Sequence, residues 1–360
     1  MALFDIDEVL GSLQAVRRRW RDEQKRAIEP GGRDLPSRDA LSEVITTLKG
    51  VLFPMRLGPT DLRQDSENFY VAHALDAALH ALLAQAKLEL LYVARRETGD
   101  GEAAPQRDFL RGAPHGDFLS VVPHGDFLPV VPHGDSLTVV PHGDSLTVVD
   151  ARAIEAVQAF AQRLPEIRAL LDTDVIAAYH GDPAAGSVDE VLLCYPGVLA
   201  MIHHRLAHEL YRLGLPLLAR IVAELAHAET GIDIHPGARI GAGFFIDHGT
   251  GVVIGETAII GERVRLYQAV TLGAKRFPRN ADGHLEKGLA RHPIVEDDVV
   301  VYAGATILGR VTIGRGATIG GNVWITHDVA PGSHVTQASL RNESARSPDI
   351  AVGLTIGAHG

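Results

Sequence analysis

GIDIHPGARIGAGFFIDHGTGVVIG, residues 231–255, sets aliphatic residues six apart at Ile234, Ile240 and Ile246, then breaks the rhythm at Asp247-His248-Gly249-Thr250-Gly251. After a shift of two residues the pattern resumes at Ile254, Ile260, Leu266 and Leu272. A second block runs Val295, Val301, Ile307, Ile313, Ile319 and Ile325. Such a period fits neither a helical turn nor strand alternation, and self-similarity at a fixed interval marks a solenoid. Small or branched residues four after the anchors (Val299, Ala305, Val311, Ala317, Val323) support that reading. Gly309, Gly314, Gly316, Gly320 and Gly321 suit tight corners between short strands. The predicted fold is a left-handed parallel β-helix with three hexapeptides per coil and coils about 4.8 Å apart. Each coil pairs the backbone of the next and buries its aliphatic layer. Its hand departs from the usual right-handed crossover. A sandwich with regular turns would instead need alternation along each strand.

The rest of the chain is helical in pattern, so the fold class is α+β. An N-terminal all-helical domain is expected over 1–230, the β-helix over 231–332, and a polar, poorly ordered tail over 333–360. The strongest amphipathic pattern is SENFYVAHALDAALHALLAQAKLELLYVARR, residues 66–96. Turns are expected at HGDPAAGS (180–187) and at Gly214-Leu215-Pro216. Residues 98–150 form a low-complexity insertion containing a nonapeptide repeat that begins at Pro114, Pro123, Pro132 and Pro141. Its evenly spaced His and Asp raise the idea of a metal, and its Val-Val pairs that of self-association. Near-identical copies read better as a tolerated duplication, and the recurrent proline predicts an extended rather than helical course.

A chain of 360 residues with 46% hydrophobic content has ample core for two domains. A net charge of −11 and a pI near 5.9 argue against nucleic acid or an anionic membrane as partner. No run of 18 apolar residues occurs, and the first residues, MALFDIDEVLGSLQAVRRRW, carry acids where a signal peptide needs an apolar stretch. A cytoplasmic chain is expected. The single cysteine, Cys194, excludes an internal disulfide and a cysteine metal cage. Within the predicted helix over 189–213 it reads as a buried structural thiol.

The Asp247-His248 pair stands where the repeat demands an aliphatic corner. Imidazole, which ordinarily titrates near pH 6.5, suits proton transfer near neutrality. Asp233 lies 15 residues earlier, a little under one coil, and could stand beside the ring on the adjacent coil. A carboxylate there would set the tautomer and support the imidazolium. On spacing alone, the pair reads equally well as polar corner caps. Loop 273–293, GAKRFPRNADGHLEKGLARHP, is a basic insertion in an acidic protein and suits an anionic ligand such as phosphates, or is merely solvated.

The runs GIDIHPGARIG, DHGTGVVIGETAIIG, VTLGA and RHP, with AAYHGDPAA upstream, together resemble the serine O-acetyltransferase family over about residues 175–337. The resemblance implies transfer of acetyl from acetyl-CoA to the hydroxyl of L-serine, the first step of cysteine biosynthesis from serine. It implies His248 as general base with Asp233 as its carboxylate partner. Asp182, Asp247, Arg291 and His292 would bind serine, and Gly273, Ala274 and Ala303 would face coenzyme A. No metal and no permanently bound cofactor are implied; acetyl-CoA is a co-substrate. Direct transfer in a ternary complex is expected, because neither a G-x-S-x-G elbow nor a plausible cysteine nucleophile is present. Homotrimers, or hexamers made of two trimers, are implied, with active sites between subunits. The chain ends GLTIGAHG, not in the Ile with which many members engage a sulfhydrylase, which argues against a cysteine synthase complex. The repeat over 114–149 and the long loop 273–293 depart from the family pattern. An acetyltransferase acting on a sugar or another small hydroxyl is the nearest alternative. A γ-type carbonic anhydrase would need closely spaced coil histidines not seen here, and a non-catalytic assembly protein would not bind acetyl-CoA.

Overall fold

The computed structural model describes residues 6–23, 35–99, 144–276, 278–279, 283–286 and 288–338. Helix α1 (Ile6–Glu23) belongs to a first unit, Met1–Leu35. The second unit holds everything from Pro36 onward. In it, α2 (Arg38–Leu52) starts on Ser37, whose hydroxyl accepts from the Ala40 N–H at 3.3 Å. Then come α3 (Pro54–Leu57), α4 (Glu67–Gly99), α5 (Asp144–Gly181), α6 (Val188–Cys194), α7 (Pro196–Arg212) and α8 (Pro216–Thr230). Helix α4 is long and apolar enough to cross a membrane, yet Ala78, Leu82, Ala86 and Leu90 bury one side of it in the common core. Both expected turns occur, after Gly181 and around Gly214-Leu215, where proline restarts the helix.

Three expectations are corrected. The final repeat is not extended throughout, because α5 begins within it at Asp144 and Val149 is buried in the core. After Pro141 the next proline is Pro165, which leaves room for helical turns. The earlier copies lie outside the described residues. Cys194 is exposed, since the helix predicted over 189–213 breaks at Tyr195-Pro196 and leaves the thiol on the last residue of α6. The strands continue past 332, as a pair at His334–Val335 closes onto the preceding coil.

Among the described residues, fourteen short strands form three parallel sheets, the faces of a β-helix. The first face holds β1 (Asp233–Ile234), β4 (Val253–Ile254), β7 (Thr271–Gly273), β10 (Thr306–Leu308) and β13 (Trp324–Ile325). The second holds β2 (Arg239–Ile240), β5 (Ile259–Ile260), β8 (Ile294–Val295) and β11 (Thr312–Ile313). The third holds β3 (Phe245–Ile246), β6 (Arg265–Leu266), β9 (Val300–Val301), β12 (Thr318–Ile319) and β14 (His334–Val335). The hexapeptide anchors point inward and are buried, Ile240 only partly. The register exposes the interruption: Asp233 pairs with Val253, two residues beyond the repeat of the next coil, where Val253 pairs with Thr271. Loop 273–293 leaves between β7 and β8 without disturbing the stack, because β8 still pairs with β5.

The helices grip the first coil through a buried ion pair. Arg205 of α7 donates to both oxygens of Asp174 on α5, at 3.1 and 3.0 Å. The same guanidinium donates to the carbonyls of Ile240 and Gly241, and Asp174 accepts the Phe244 N–H at 2.9 Å.

A second buried carboxylate ties α4 to α8. Glu89 accepts the N–H groups of Leu217 and Leu218, at 2.7 and 2.9 Å. Burial pushes its carboxyl up to about 7, against those two bonds. Such a group keeps its proton in the native state after the unfolded chain has lost it, so its contribution to stability falls as pH rises from about 4.5 to about 7. Relative to Glu89→Gln, the wild type should lose about 3 kcal/mol across that window. Urea midpoints of both proteins at the two ends of the window measure this, and a difference independent of pH would refute it.

Candidate active site

The corner between β3 and β4 is where the repeat breaks. His248 has φ 59°, and Gly249 and Gly251 follow at 86° and 79°, a left-handed run that needs glycine beside the histidine. At Gly249 the positive φ strains any L side chain, and a Cβ would also lie 2.4 Å from Ile232 Cδ1, so a larger residue would force that buried side chain to shift. The turn leaves the His248 side chain 73% exposed, while Asp247 beside it is buried. Asp247 Oδ1 lies 3.8 Å from His248 Nε2, and Asp247 Oδ2 accepts from Arg265 Nη2 at 2.5 Å.

Above this corner sits the turn that follows α5. Its Asp182 accepts the Tyr195 hydroxyl at 2.5 Å and the Ala184 N–H at 2.8 Å. Those two bonds hold the Asp182 carboxyl below its ordinary range, with Tyr195 the larger cause and nearby Arg265 and His248 adding to it. The same bond pushes the Tyr195 phenol up to about 12. Asp182 and Asp247 therefore gather around the exposed imidazole of His248, two carboxylates placed to attract a cation.

Asp233 behaves differently from expectation. The Gly251 N–H donates to the Gly231 carbonyl at 2.8 Å, which does put Asp233 on the coil adjoining His248. Among the described residues, however, no hydrogen bond joins the two. The Asp233 carboxylate gathers with Glu224 and His227 of α8, their ligand atoms within 4.8 Å of one another. Asp233 stands in register with Val253, and the His248 side chain projects into solvent.

Arg291 and His292 lie elsewhere, at the corner between the first and second faces. His292 Nδ1 accepts the Thr257 N–H at 3.1 Å and lies 2.9 Å from its hydroxyl, so Nε2 carries the proton of the neutral ring. Burial, then the neighbouring Arg291, pulls the His292 pKa down to about 4. It is a neutral donor at pH 7. Gly255 is obligatory there, since a Cβ would lie 2.0 Å from the ring. Arg291 Nη2 donates to Glu256 Oε2 at 2.8 Å, and the Tyr211 hydroxyl reaches the other Glu256 oxygen at 3.2 Å.

The candidate site residues thus divide between the two edges of the first face. Ala303 follows β9 at the His248 edge, next to Tyr302, whose ring stacks on Tyr267 at 5.0 Å. Gly273 ends β7 at the His292 edge, with Ala274 beyond it. Tyr195, Arg265, Thr257 and Glu256 escaped the sequence reading. Arg265 carried a usable signal, since it lies 18 residues after Asp247, one regular coil on. Tyr195 carried none, because its approach to Asp182 depends on α6 folding back.

Comparison with known proteins gives a consistent result. Residues 292–327 match the family profile described as bacterial transferase hexapeptide (six repeats). The chain is 50% identical over 313 residues to the plasmid serine acetyltransferase of Synechococcus elongatus, covering 87% of this chain and 85% of that protein. It resembles the crystal structure of Entamoeba histolytica serine acetyltransferase 1 in complex with L-cysteine, with a TM-score of 0.60 and 32% identity over 82% of this chain and 86% of that one. The native form of that enzyme matches with a TM-score of 0.60 and 31% identity, covering 86% and 90% of the two chains.

Proposed function

We propose that this chain, which belongs to the serine acetyltransferase family, transfers acetyl to serine with His248 as the base and with a site shared between two subunits. The reaction takes acetyl from acetyl-CoA to the L-serine hydroxyl and yields O-acetylserine, the first step from serine to cysteine. His248 Nε2 removes the hydroxyl proton as the serine oxygen attacks the thioester carbonyl. The tetrahedral intermediate then collapses, the carbon–sulfur bond breaks, and the imidazolium returns its proton to the departing thiolate. No acyl-enzyme is formed.

Asp182 and Asp247 take the serine ammonium, and Asp247 also faces the imidazolium as it forms. Asp233 is the carboxylate we assign to the other ring nitrogen once substrate turns the exposed imidazole over the adjoining coil. The serine carboxylate needs a cation, and Arg265 is already committed to Asp247 and Gly181. The partner subunit's Arg291 supplies that cation, and the partner's His292 donates from its neutral Nε2–H. Coenzyme A would run along the same seam, between Ala303 on one chain and Gly273 and Ala274 of the next. A homotrimer, alone or paired into a hexamer, satisfies this geometry.

The observation that carries the reading is the gathering of Asp182 and Asp247 at one exposed histidine while Arg291 and His292 stand at the opposite edge of the same face. Purified protein with acetyl-CoA and a panel of serine, homoserine and sugars should release thiol with serine; release with sugars alone would sink the assignment. Chains carrying His248→Ala and chains carrying Arg291→Ala should each be nearly inactive. Coexpressed, they should regain about a quarter of wild-type turnover, because a pairing that draws each intact residue from a different chain is whole. No recovery in a mixed oligomer would place the full site within one chain.

A further inference from the structure

We propose that Arg265 is the positioning residue of the serine pocket: it clamps Asp247 away from His248 and docks the turn that carries Asp182. The proposal rests on the assignment of His248, Asp182 and Asp247 above. Arg265 occupies the outward position of β6, in register with Phe245 of β3. Its guanidinium lies 4.9 Å from the Phe245 ring centroid and 4.6 Å from that of Tyr267, so two aromatic faces fix its plane. One arm, Nη2, donates to Asp247 Oδ2 at 2.5 Å; the other, Nη1, donates to the Gly181 carbonyl at 2.6 Å. Its Nε is buried with no hydrogen-bond partner among the described residues. Leaving such a donor unpaired is unfavourable, so the geometry of the two terminal nitrogens is what the arrangement preserves.

Both arms end on the pocket. Gly181 immediately precedes Asp182, and a Cβ at Gly181 would lie 2.9 Å from Phe245 Cδ1, so this turn sits directly on the arginine's aromatic support. Through Gly181, Arg265 sets the height of Asp182 over the coil. Through Asp247, it decides which cation that carboxylate serves. With Oδ2 held by Arg265, Oδ1 stays 3.8 Å from the imidazole, beyond a hydrogen bond. Asp247 therefore remains available to the substrate ammonium rather than collapsing onto His248. The charged and titratable groups around this clamp are Asp182 of the turn, Glu190 of α6, Tyr195 at the start of α7, Asp247 and His248 of the corner, and Tyr267 and Tyr302 of the two following coils.

Arg265→Gln removes the cation and the rigid fork. Arg265→Lys keeps a charge that can reach Asp247 but cannot bridge to Gly181 with the same plane. Steady-state kinetics of both variants across pH, beside wild type and His248→Ala, test the role. For Arg265→Gln the KM for serine should rise about tenfold or more while the KM for acetyl-CoA stays within about twofold. The acidic limb of its kcat/KM profile should move to higher pH, because a freed Asp247 and a lost cation both favour the imidazolium. Arg265→Lys should return the limb toward wild type and leave the serine KM raised. Unchanged serine KM in both variants, or equal rises for both substrates with an unmoved limb, would overturn the proposal. Should His248→Ala retain turnover, the assignment of the base fails instead, while the serine KM of the Arg265 variants still judges the clamp.

Discussion

His248→Ala lowers kcat for acetyl transfer by about 10²–10⁴-fold, the usual worth of a positioned general base, while leaving the protein folded. The expectation of an intact fold follows from exposure: the side chain is 73% accessible and contributes little packing. Alanine at φ 59° keeps the same backbone strain that histidine already bears, and Gly249 and Gly251 still supply the turn. The loss therefore falls on kcat. Asp247 stays held by Arg265 and Asp182 by Tyr195, so the serine KM should move far less than the turnover. Thiol release from acetyl-CoA, with serine saturating, is the measurement. Retention of more than about a tenth of wild-type kcat would remove His248 from the role of base.

Asp174→Ala is the largest stability effect we expect, about 3–5 kcal/mol, a sizeable part of a typical folding free energy. The substitution strands the Arg205 guanidinium, whose side chain is 6% exposed, without its counter-ion. It also removes the acceptor of the Phe244 N–H and empties the joint between α5, α7 and the first coil. That joint matters to chemistry as well, since α5 ends at Gly181, one residue before Asp182. Urea unfolding gives the magnitude, and exchanging both partners, Asp174→Leu with Arg205→Met, separates the causes. The double variant should recover much of the loss because no lone buried charge remains. A single Asp174→Ala variant within about 1 kcal/mol of wild type would show that the pair does not hold the joint.

How much was legible in advance differs from residue to residue. Ile246 and Ile254 announced both the fold and its interruption, because an inward anchor every six residues is a local property of the chain. His248 was conspicuous for the same reason, a polar residue where the corner should be plain. Asp182 could be named only through the GDPAA resemblance, and nothing in its spacing pointed to Tyr195. The burial of Cys194 was misjudged because a continuous apolar pattern hid the helix break at Pro196. Asp233 lies on the coil adjoining His248 with its carboxylate beside Glu224 and His227, and spacing along the chain does not reveal which side chains such a residue meets.

The amino-acid sequence by itself determined the β-helix, the helical domain before it, and the position of the break at Asp247-His248. Each follows from periodicity and turn chemistry within a few neighbouring residues. Only the tertiary structure decided that Arg265 clamps Asp247, that His292 is a neutral donor held by Thr257, and that Arg291 stands at the opposite edge of the face from His248. These are contacts between coils, and a coil is not a fixed count of residues here: Asp247 and Arg265 are 18 apart, whereas Thr257 and His292 are 35 apart across an ejected loop. Backbone pairing between successive coils brings such positions together, and the direction each side chain takes at its corner settles which of them meet.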